Sequence, residues 1–180
     1  MLRLFVAVDL PAELRPAVVR LCDGIAGARW TRPEQLHITL RFLGDTPEDQ
    51  LGDLCAHLRQ IRMSGFQLAL RGIGVFPPPG ARKPARVLWL GLDPPESLQA
   101  LKLAVDEVLG PDPDTAKRGF SPHLTLARFP TRPRHDLDAF LAEHAGFEGG
   151  RFLVDRFHLY RSTLRREGAL HEIVETYPLP

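Results

Sequence analysis

The sequence predicts an α+β fold of two pseudo-symmetric lobes around one central cleft, and three observations predict it. A four-residue pattern occurs once in each half of the 180-residue chain, as His37-Ile38-Thr39-Leu40 and His123-Leu124-Thr125-Leu126. The strands and helices around that pattern repeat with it, the signature of an internal duplication. At 44% hydrophobic, the chain can fill one core, and its length demands no second domain. Residues 1–180 therefore read as a single bilobal domain, with approximate repeats 1–75 and 86–180 joined by a proline-rich connector at 76–85.

The elements follow in order. Arg3 to Leu14 parallels Arg86 to Leu98: each is a short apolar strand, a turn with Asp9 or Asp93 beside proline, and a stretch of helical spacing. That spacing places Leu14, Val18, Leu21 and Ile25 on one helix face, and Leu98, Leu101, Val105 and Leu109 on another. The motif strands come next. After the first, Thr46-Pro47-Glu48-Asp49 reads as a helix start with proline at the first position and a capping-box acid, leading through Leu51, Leu54, Leu58 and Ile61. Thr131 to Arg134 opens a shorter counterpart through Leu137 and Leu141. Gly65-Phe66 and Gly146-Phe147 introduce strands over 67–75 and 151–160, and 171–177 adds a last one. Each half is thus roughly β-α-β-α-β with its motif on the middle strand. Phe76 to Arg86 carries four prolines and reads as an extended connector between lobes. Gly110 to Gly119, bearing Lys117 and Arg118, is a loop leading into the second motif strand.

In an extended strand alternate side chains share a face, so each motif presents one imidazole beside one hydroxyl while Ile38 or Leu124 and the trailing Leu point into the core. Two such strands facing one cleft bring an acid and a base together, because an imidazole titrates near pH ~6.5 and one ring can carry a proton while the other does not. Substitution at phosphorus with an alkoxide leaving group uses that pair, and the Thr39 and Thr125 hydroxyls can donate to non-bridging phosphate oxygens. Strict alternation also puts Arg41 on the cleft side, favouring a phosphate contact. His57, His135, His144, His158 and His171 have no repeat partner and read as surface or packing residues.

The rest of the composition narrows the class. A formal charge of +1 excludes a polybasic tail, and lysine supplies only Lys83, Lys102 and Lys117 of the 23 cations, the rest being arginine, the better fork for phosphate. Cys22 and Cys55 fall in helical, partly apolar patterns, as small buried hydrophobes of a reducing cytoplasm. No metal is expected, since a catalytic zinc site generally needs three protein ligands and neither strand carries a Cys, Asp or Glu on its His face. Ser121 lies two residues before His123 but has no repeat counterpart, which weakens a serine nucleophile. The apolar run Leu4 to Leu10 is strand-length and interrupted by Asp9, so no membrane span or signal peptide is read.

The paired motifs, followed by Arg41-Phe42-Leu43-Gly44 in one half and embedded in Phe120 to Phe129 in the other, resemble the 2H phosphoesterase superfamily. Within it the chain looks most like the RNA 2′,3′-cyclic phosphodiesterases, also called 2′-5′ RNA ligase-like proteins. Arg3 to Val8, Trp30, Val75 to Pro77, Arg86 to Gly91 and Leu159 to Ser162 extend the resemblance over nearly the whole chain. It implies the 2H fold, with an antiparallel-type sheet and outer helices in each lobe and the motif strands facing the cleft. It implies hydrolysis of an RNA terminal 2′,3′-cyclic phosphate to a 2′-phosphomonoester without metal or other cofactor, with His37 as proton donor and His123 as proton acceptor. Reversible, ATP-independent 2′-5′ ligation would use the same geometry. Thr39 and Thr125 match phosphate-holding threonines, while Phe42 and Arg128 match substrate-binding positions.

Both of the last two are odd-spaced from their histidines. An ideal strand turns Arg128 away from the cleft unless a bulge or strand end intervenes, and makes Phe42 a core residue unless it sits at the rim, where it could stack on a base. The expected partners are RNA with a cyclic phosphate end, such as tRNA fragments, or cyclic mononucleotides; the expected state is a cytoplasmic monomer with no membrane contact. Two alternatives stay open: a non-catalytic nucleotide- or RNA-binding module, and an enzyme of this superfamily acting on another small cyclic phosphate or on 2′-5′ oligonucleotides.

Overall fold

The computed structural model describes residues 1–130, 136–165 and 168–180. The helix start expected at Thr131 to Arg134, and His135, lie outside the described residues. Fourteen elements follow one another: β1 (Leu2–Asp9), α1 (Arg15–Val19), β2 (Arg29–Trp30), β3 (His37–Thr46), α2 (Leu51–Leu58), β4 (Phe66–Phe76), β5 (Val87–Asp93), α3 (Pro95–Leu109), α4 (Pro113–Arg118), β6 (Leu124–Arg128), α5 (Asp136–Glu143), β7 (Glu148–Val154), β8 (Arg156–Arg165) and β9 (Gly168–Pro178). The fold is α+β, as expected.

All nine strands form one antiparallel sheet in the order β7-β4-β5-β6-β3-β1-β8-β9, with β2 added against β6. The motif strands β3 and β6 sit side by side at its centre, and the order outward is matched on the two sides: β1 corresponds to β5, β8 to β4, β9 to β7. The halves are thus interleaved, for β4 follows the first motif strand yet pairs with β5 and β7, while β8 and β9 follow the second yet lie on the β1 side. The proline-rich stretch after Phe76 closes the β4–β5 hairpin, Arg86 N donating to Phe76 O at 2.7 Å, so it links two neighbouring strands of one lobe.

The helices cover one face of the sheet. Val18 of α1, Cys55 and Leu58 of α2, Leu98, Leu101 and Val105 of α3 and Phe140 of α5 join Leu4, Val6, Val8, Ile38, Leu88, Leu90 and Leu124 in a single core. On the other face Phe5, Ala7 and Tyr160 form a small separate cluster. Local differences from the sequence pattern have local causes. The first helix ends at Val19 and passes into turns, Leu21 N donating to Val18 O and Cys22 N to Val19 O, so Leu21 and Ile25 are buried from irregular chain in which Gly24 and Gly27 take positive φ. Thr46 ends β3 rather than capping α2, which begins through a turn at Glu48–Gln50 without a side-chain cap. The segment 151–160, read as one strand, is two: the ladder breaks at Asp155, and β7 and β8 run on different sides of the sheet. The loop 110–119 holds α4, capped by the Asp112 carboxylate on Asp114 N at 2.9 Å.

Candidate active site

The two motif strands meet at the pair Ile38 and Leu124, whose side chains are fully buried. Continuing that antiparallel register one residue either way sets His37 across from Thr125 and Thr39 across from His123. All four therefore stand on one face, at the opposite and diagonal positions of a single cross-strand square. Directly opposed side chains lie about 5 Å apart at Cβ, and diagonal neighbours about 7–8 Å. The approximate two-fold of the sheet passes through this square.

The odd-spaced residues are placed by two β-bulges. On β3, Thr39 pairs with Ala7 and Arg41 with Val6, leaving Leu40 as an extra residue; on β6, Thr125 pairs with Trp89 and Ala127 with Leu88, leaving Leu126 extra. A bulge reverses the alternation beyond it. Leu126 and Ala127 are accordingly both fully buried, and Arg128 returns to the face of Thr125. Phe42 likewise falls opposite Phe5 on the concave face, where it is 62% exposed. Phe5 lies beside it, the rings tilted by 44° with centroids 6.1 Å apart.

The same bulge moves Arg41 the other way. Paired with Val6, it leaves the face of His37 and Thr39, and its guanidinium is held by Asp106 Oδ1 at 3.0 Å and by the carbonyls of Gly110 at 2.5 Å and Pro111 at 3.4 Å. Arg41 nonetheless lines the cleft over the square, on the side expected of it, with its guanidinium engaged by Asp106 and these two carbonyls. Lys102, 1% exposed, extends the network to both Asp106 and Asp112 at 2.6 and 3.0 Å. Burial works against the Asp112 charge, but hydrogen bonds from Thr115, Lys102 and the Asp114 amide outweigh it and hold the carboxyl down at about 2.

A cleft of about 890 Å³ opens over the square, lined by His37, Thr39, Thr125, Arg128, Phe42 and His171 among others. His123, which immediately precedes β6, is not among the residues lining this cleft and stands edge-on to Phe76 with centroids 5.0 Å apart. Both imidazoles are fixed alike: Nδ1 of His37 lies 2.7 Å from the Gln35 carbonyl, and Nδ1 of His123 lies 2.8 Å from the Ser121 carbonyl. A carbonyl only accepts, so each Nδ1 carries its hydrogen and each Nε2 is the nitrogen left to exchange a proton. Burial pushes His37 down to about 4, helped by His171 and Arg128 and opposed by the Gln35 carbonyl and Asp9. His123 is also lowered, by burial first and then by Arg128. Burial thus favours the neutral form of both rings.

His171 is the residue that repeat logic missed. It comes from β9, stands edge-on to His37 with centroids 5.4 Å apart, and lines the cleft. Being unduplicated argued for a packing role, whereas its position opposite Ser162 in the β8–β9 ladder brings it over the motif strand. Among the described residues no group of three His, Cys, Asp or Glu side chains is placed to hold a metal ion.

Solved structures place this architecture among known ones. E. coli LigT complexed with 3′-AMP superposes with a TM-score of 0.74 at 28% identity, over 99% of this chain and 97% of that one. A Thermus thermophilus protein superposes at 0.76 and 31% identity, over 98% and 97%. The chain belongs to the 2′-5′ RNA ligase superfamily, whose profile matches residues 8–166. Among its curated relatives, the RNA 2′,3′-cyclic phosphodiesterase of Methanothermobacter thermautotrophicus is 33% identical over 98% of both chains. That of Archaeoglobus fulgidus is 30% identical over 98% of this chain and 99% of its own. No helix among the described residues is long and apolar enough to cross a membrane.

Proposed function

We propose that this protein is an RNA 2′,3′-cyclic phosphodiesterase that opens a terminal cyclic phosphate to a 2′-phosphomonoester by two-histidine acid-base catalysis. The observation that carries it is the square itself: two imidazoles with their Nδ1 atoms tied to main-chain carbonyls, each diagonal to the other and flanked by a hydroxyl. His123 Nε2 takes a proton from water as the water oxygen bonds to phosphorus. The bond from phosphorus to the 3′ oxygen breaks, and protonated His37 Nε2 delivers its proton to that oxygen. Thr39 and Thr125 donate to the non-bridging oxygens, and Arg128 offsets their charge. Such proton transfers are worth ~10²- to 10⁴-fold each. The anionic substrate cancels the repulsion from Arg128 and so favours the proton that His37 must carry. Exposed Phe42 gives the nucleobase a surface to stack on. With a 5′-hydroxyl in place of water, the same steps join two RNA ends through a 2′-5′ linkage, and their reversal cleaves it.

The test is turnover of 2′,3′-cyclic AMP and of RNA with a cyclic phosphate end, in excess chelator, by the intact chain and by His37→Ala and His123→Ala. We expect 2′-phosphate product, identified by phosphorus NMR, and a loss of at least a hundredfold in each variant. Undiminished turnover in either variant, 3′-phosphate product, or no turnover by the intact chain would each overturn the proposal.

A further inference from the structure

The two halves of the square are not chemically equal, and the difference lies on the strands flanking it. In β1, Asp9 is the residue paired with His37. In β5, the pairing of Leu90 with Leu124 continues to Gly91 across from His123. One imidazole therefore has a carboxylate on the neighbouring strand and the other has a hydrogen atom. Sterics enforce the inequality: a Cβ on Gly91 would lie 2.5 Å from the main-chain oxygen of Arg71, so no side chain of any charge fits there.

Asp9 is held in place from β8. Tyr160 OH donates to its Oδ1 at 2.5 Å, and His158 Nε2 lies 3.8 Å from its Oδ2. His158 is itself buried, contacts Thr176 Oγ1 through Nδ1 at 2.9 Å, and has its proton affinity lowered by that burial. Burial thus disfavours an imidazolium beside Asp9. Arg15, from α1, shares the adjoining cavity with Asp9. Around His37 the charged and titratable groups are Asp9 on β1, His171 on β9 and Arg128 on β6; around His123 Arg128 is the charged neighbour that acts on it.

We infer that Asp9 is a positioning residue that assigns the two histidines their roles, making His37 the acid and leaving His123 the base. This rests on the acid-base function proposed above and supplies what that function lacks, a physical reason for its direction in a nearly symmetric site. An imidazole removed from water is costly to protonate, and it feels a fixed charge more strongly because solvent no longer screens it. His37 is the more buried ring, so it depends the more on a neighbouring carboxylate to hold a proton. His123, with a glycine beside it, has no carboxylate at the paired position of the flanking strand to favour its proton.

The test compares intact protein with Asp9→Asn and Tyr160→Phe. An asparagine Oδ1 still accepts from Tyr160, so the first variant removes charge and keeps the hydrogen bond, while the second removes the hydrogen bond and keeps the charge. Histidine titrations are followed by NMR with inorganic phosphate bound, alongside the pH dependence of 2′,3′-cyclic AMP turnover. In Asp9→Asn we expect the His37 midpoint to move down by about one pH unit, His123 to stay, and kcat at pH 6 to fall roughly tenfold with KM retained. In Tyr160→Phe the His37 midpoint should hold. A His37 midpoint unmoved by Asp9→Asn, or moved equally by Tyr160→Phe, would overturn the assignment. Should the intact chain show no turnover, the proposed function fails, while the titrations still decide on Asp9.

Discussion

Leu40 and Leu126, the fourth residues of the two motifs, are each the extra residue of a β-bulge. Placed at equivalent points on either side of the approximate two-fold, they reverse the strand alternation just beyond each His-x-Thr pair. The consequence is that Phe42 and Arg128, five residues after their histidines, share the face of the square, while Arg41 leaves it.

Arg128 and Phe42 should therefore fail in different ways. Arg128 acts on charge: it opposes protonation of both histidines and lines the cleft. Arg128→Ala should raise KM for a 2′,3′-cyclic nucleotide by about ten- to a hundredfold, the range of one lost charge-assisted contact. It should also shift the kcat/KM optimum upward, since removing a cation raises the proton affinity of both rings. Phe42→Ala removes a stacking surface worth ~1–3 kcal/mol, so KM should rise by roughly five- to a hundredfold with kcat and the pH optimum unchanged. Steady-state kinetics across pH 4–8 separate the two.

The cation network behind the cleft predicts a stability effect. Lys102 is buried between Asp106 and Asp112, and Asp106 also holds Arg41. Lys102→Met leaves two carboxylates packed together without their shared cation, which should cost about 3–5 kcal/mol. Pairing Lys102→Met with Asp112→Asn should recover part of that loss, because Asp106 then keeps Arg41 as its partner and no second carboxylate is left unpaired. Urea denaturation of the single and double variants decides it; a single variant within about 1 kcal/mol of the intact protein would show the network to be dispensable.

Much of this was legible in the sequence because duplication is legible. The His-x-Thr pairs, the strands around them and the helices α2 and α3 follow from periodicity and repetition, and Thr39 and Thr125 needed only strand alternation. What periodicity could not show is where it is broken. A bulge adds one residue without a composition signal, so the register of Arg41 with Val6, and its hold on Asp106, could not be read from alternation, although Arg41 does line the cleft. The break at Asp155 divides a run that reads as one strand, because the two pieces serve opposite sides of the sheet. His171 was passed over for lack of a repeat partner, since its place over His37 depends on long-range pairing of β8 with β9. The carbonyls of Gln35 and Ser121 belong to the main chain and leave no mark on residue identity.

Two glycines should separate packing from propensity. A Cβ on Gly74 would meet the Trp89 indole at 2.3 Å, and Trp89 pairs in turn with Thr125. Gly74→Ala must displace the indole, which should cost about 1–3 kcal/mol, the range for overpacking, and lower activity by disturbing Thr125. Gly52 lies in α2 with open space around its Cα. Gly52→Ala should stabilise by roughly 0.5–1 kcal/mol and leave activity unchanged. Thermal denaturation gives both signs, and equal effects at the two positions would refute the packing argument.

The acid range should contain the activity optimum. His37 is lowered from 6.5 to about 4 and His123 is lowered as well, both mainly by burial, which favours the neutral form of both rings in the free site. Catalysis needs one ring protonated and the other neutral. Only the form with His37 charged and His123 neutral is productive; its population, and kcat/KM with it, rises as pH falls below 6.5 and drops near 4, where both rings are charged and the base is lost. The profile should be a bell with its maximum between these limits, and a plateau above pH 7 would contradict it. The same depressions carry a stability cost of opposite sense. An unfolded chain binds these protons near pH 6.5 and the folded one does not, so stabilisation from the buried neutral rings is complete above 6.5 and declines toward 4. His158 and His171, also lowered by burial, add to that slope. Urea midpoints should therefore drop from pH 7 to pH 5, over the same interval in which kcat/KM climbs: the burial that ties each imidazole to its carbonyl makes the protein least stable where it is most active.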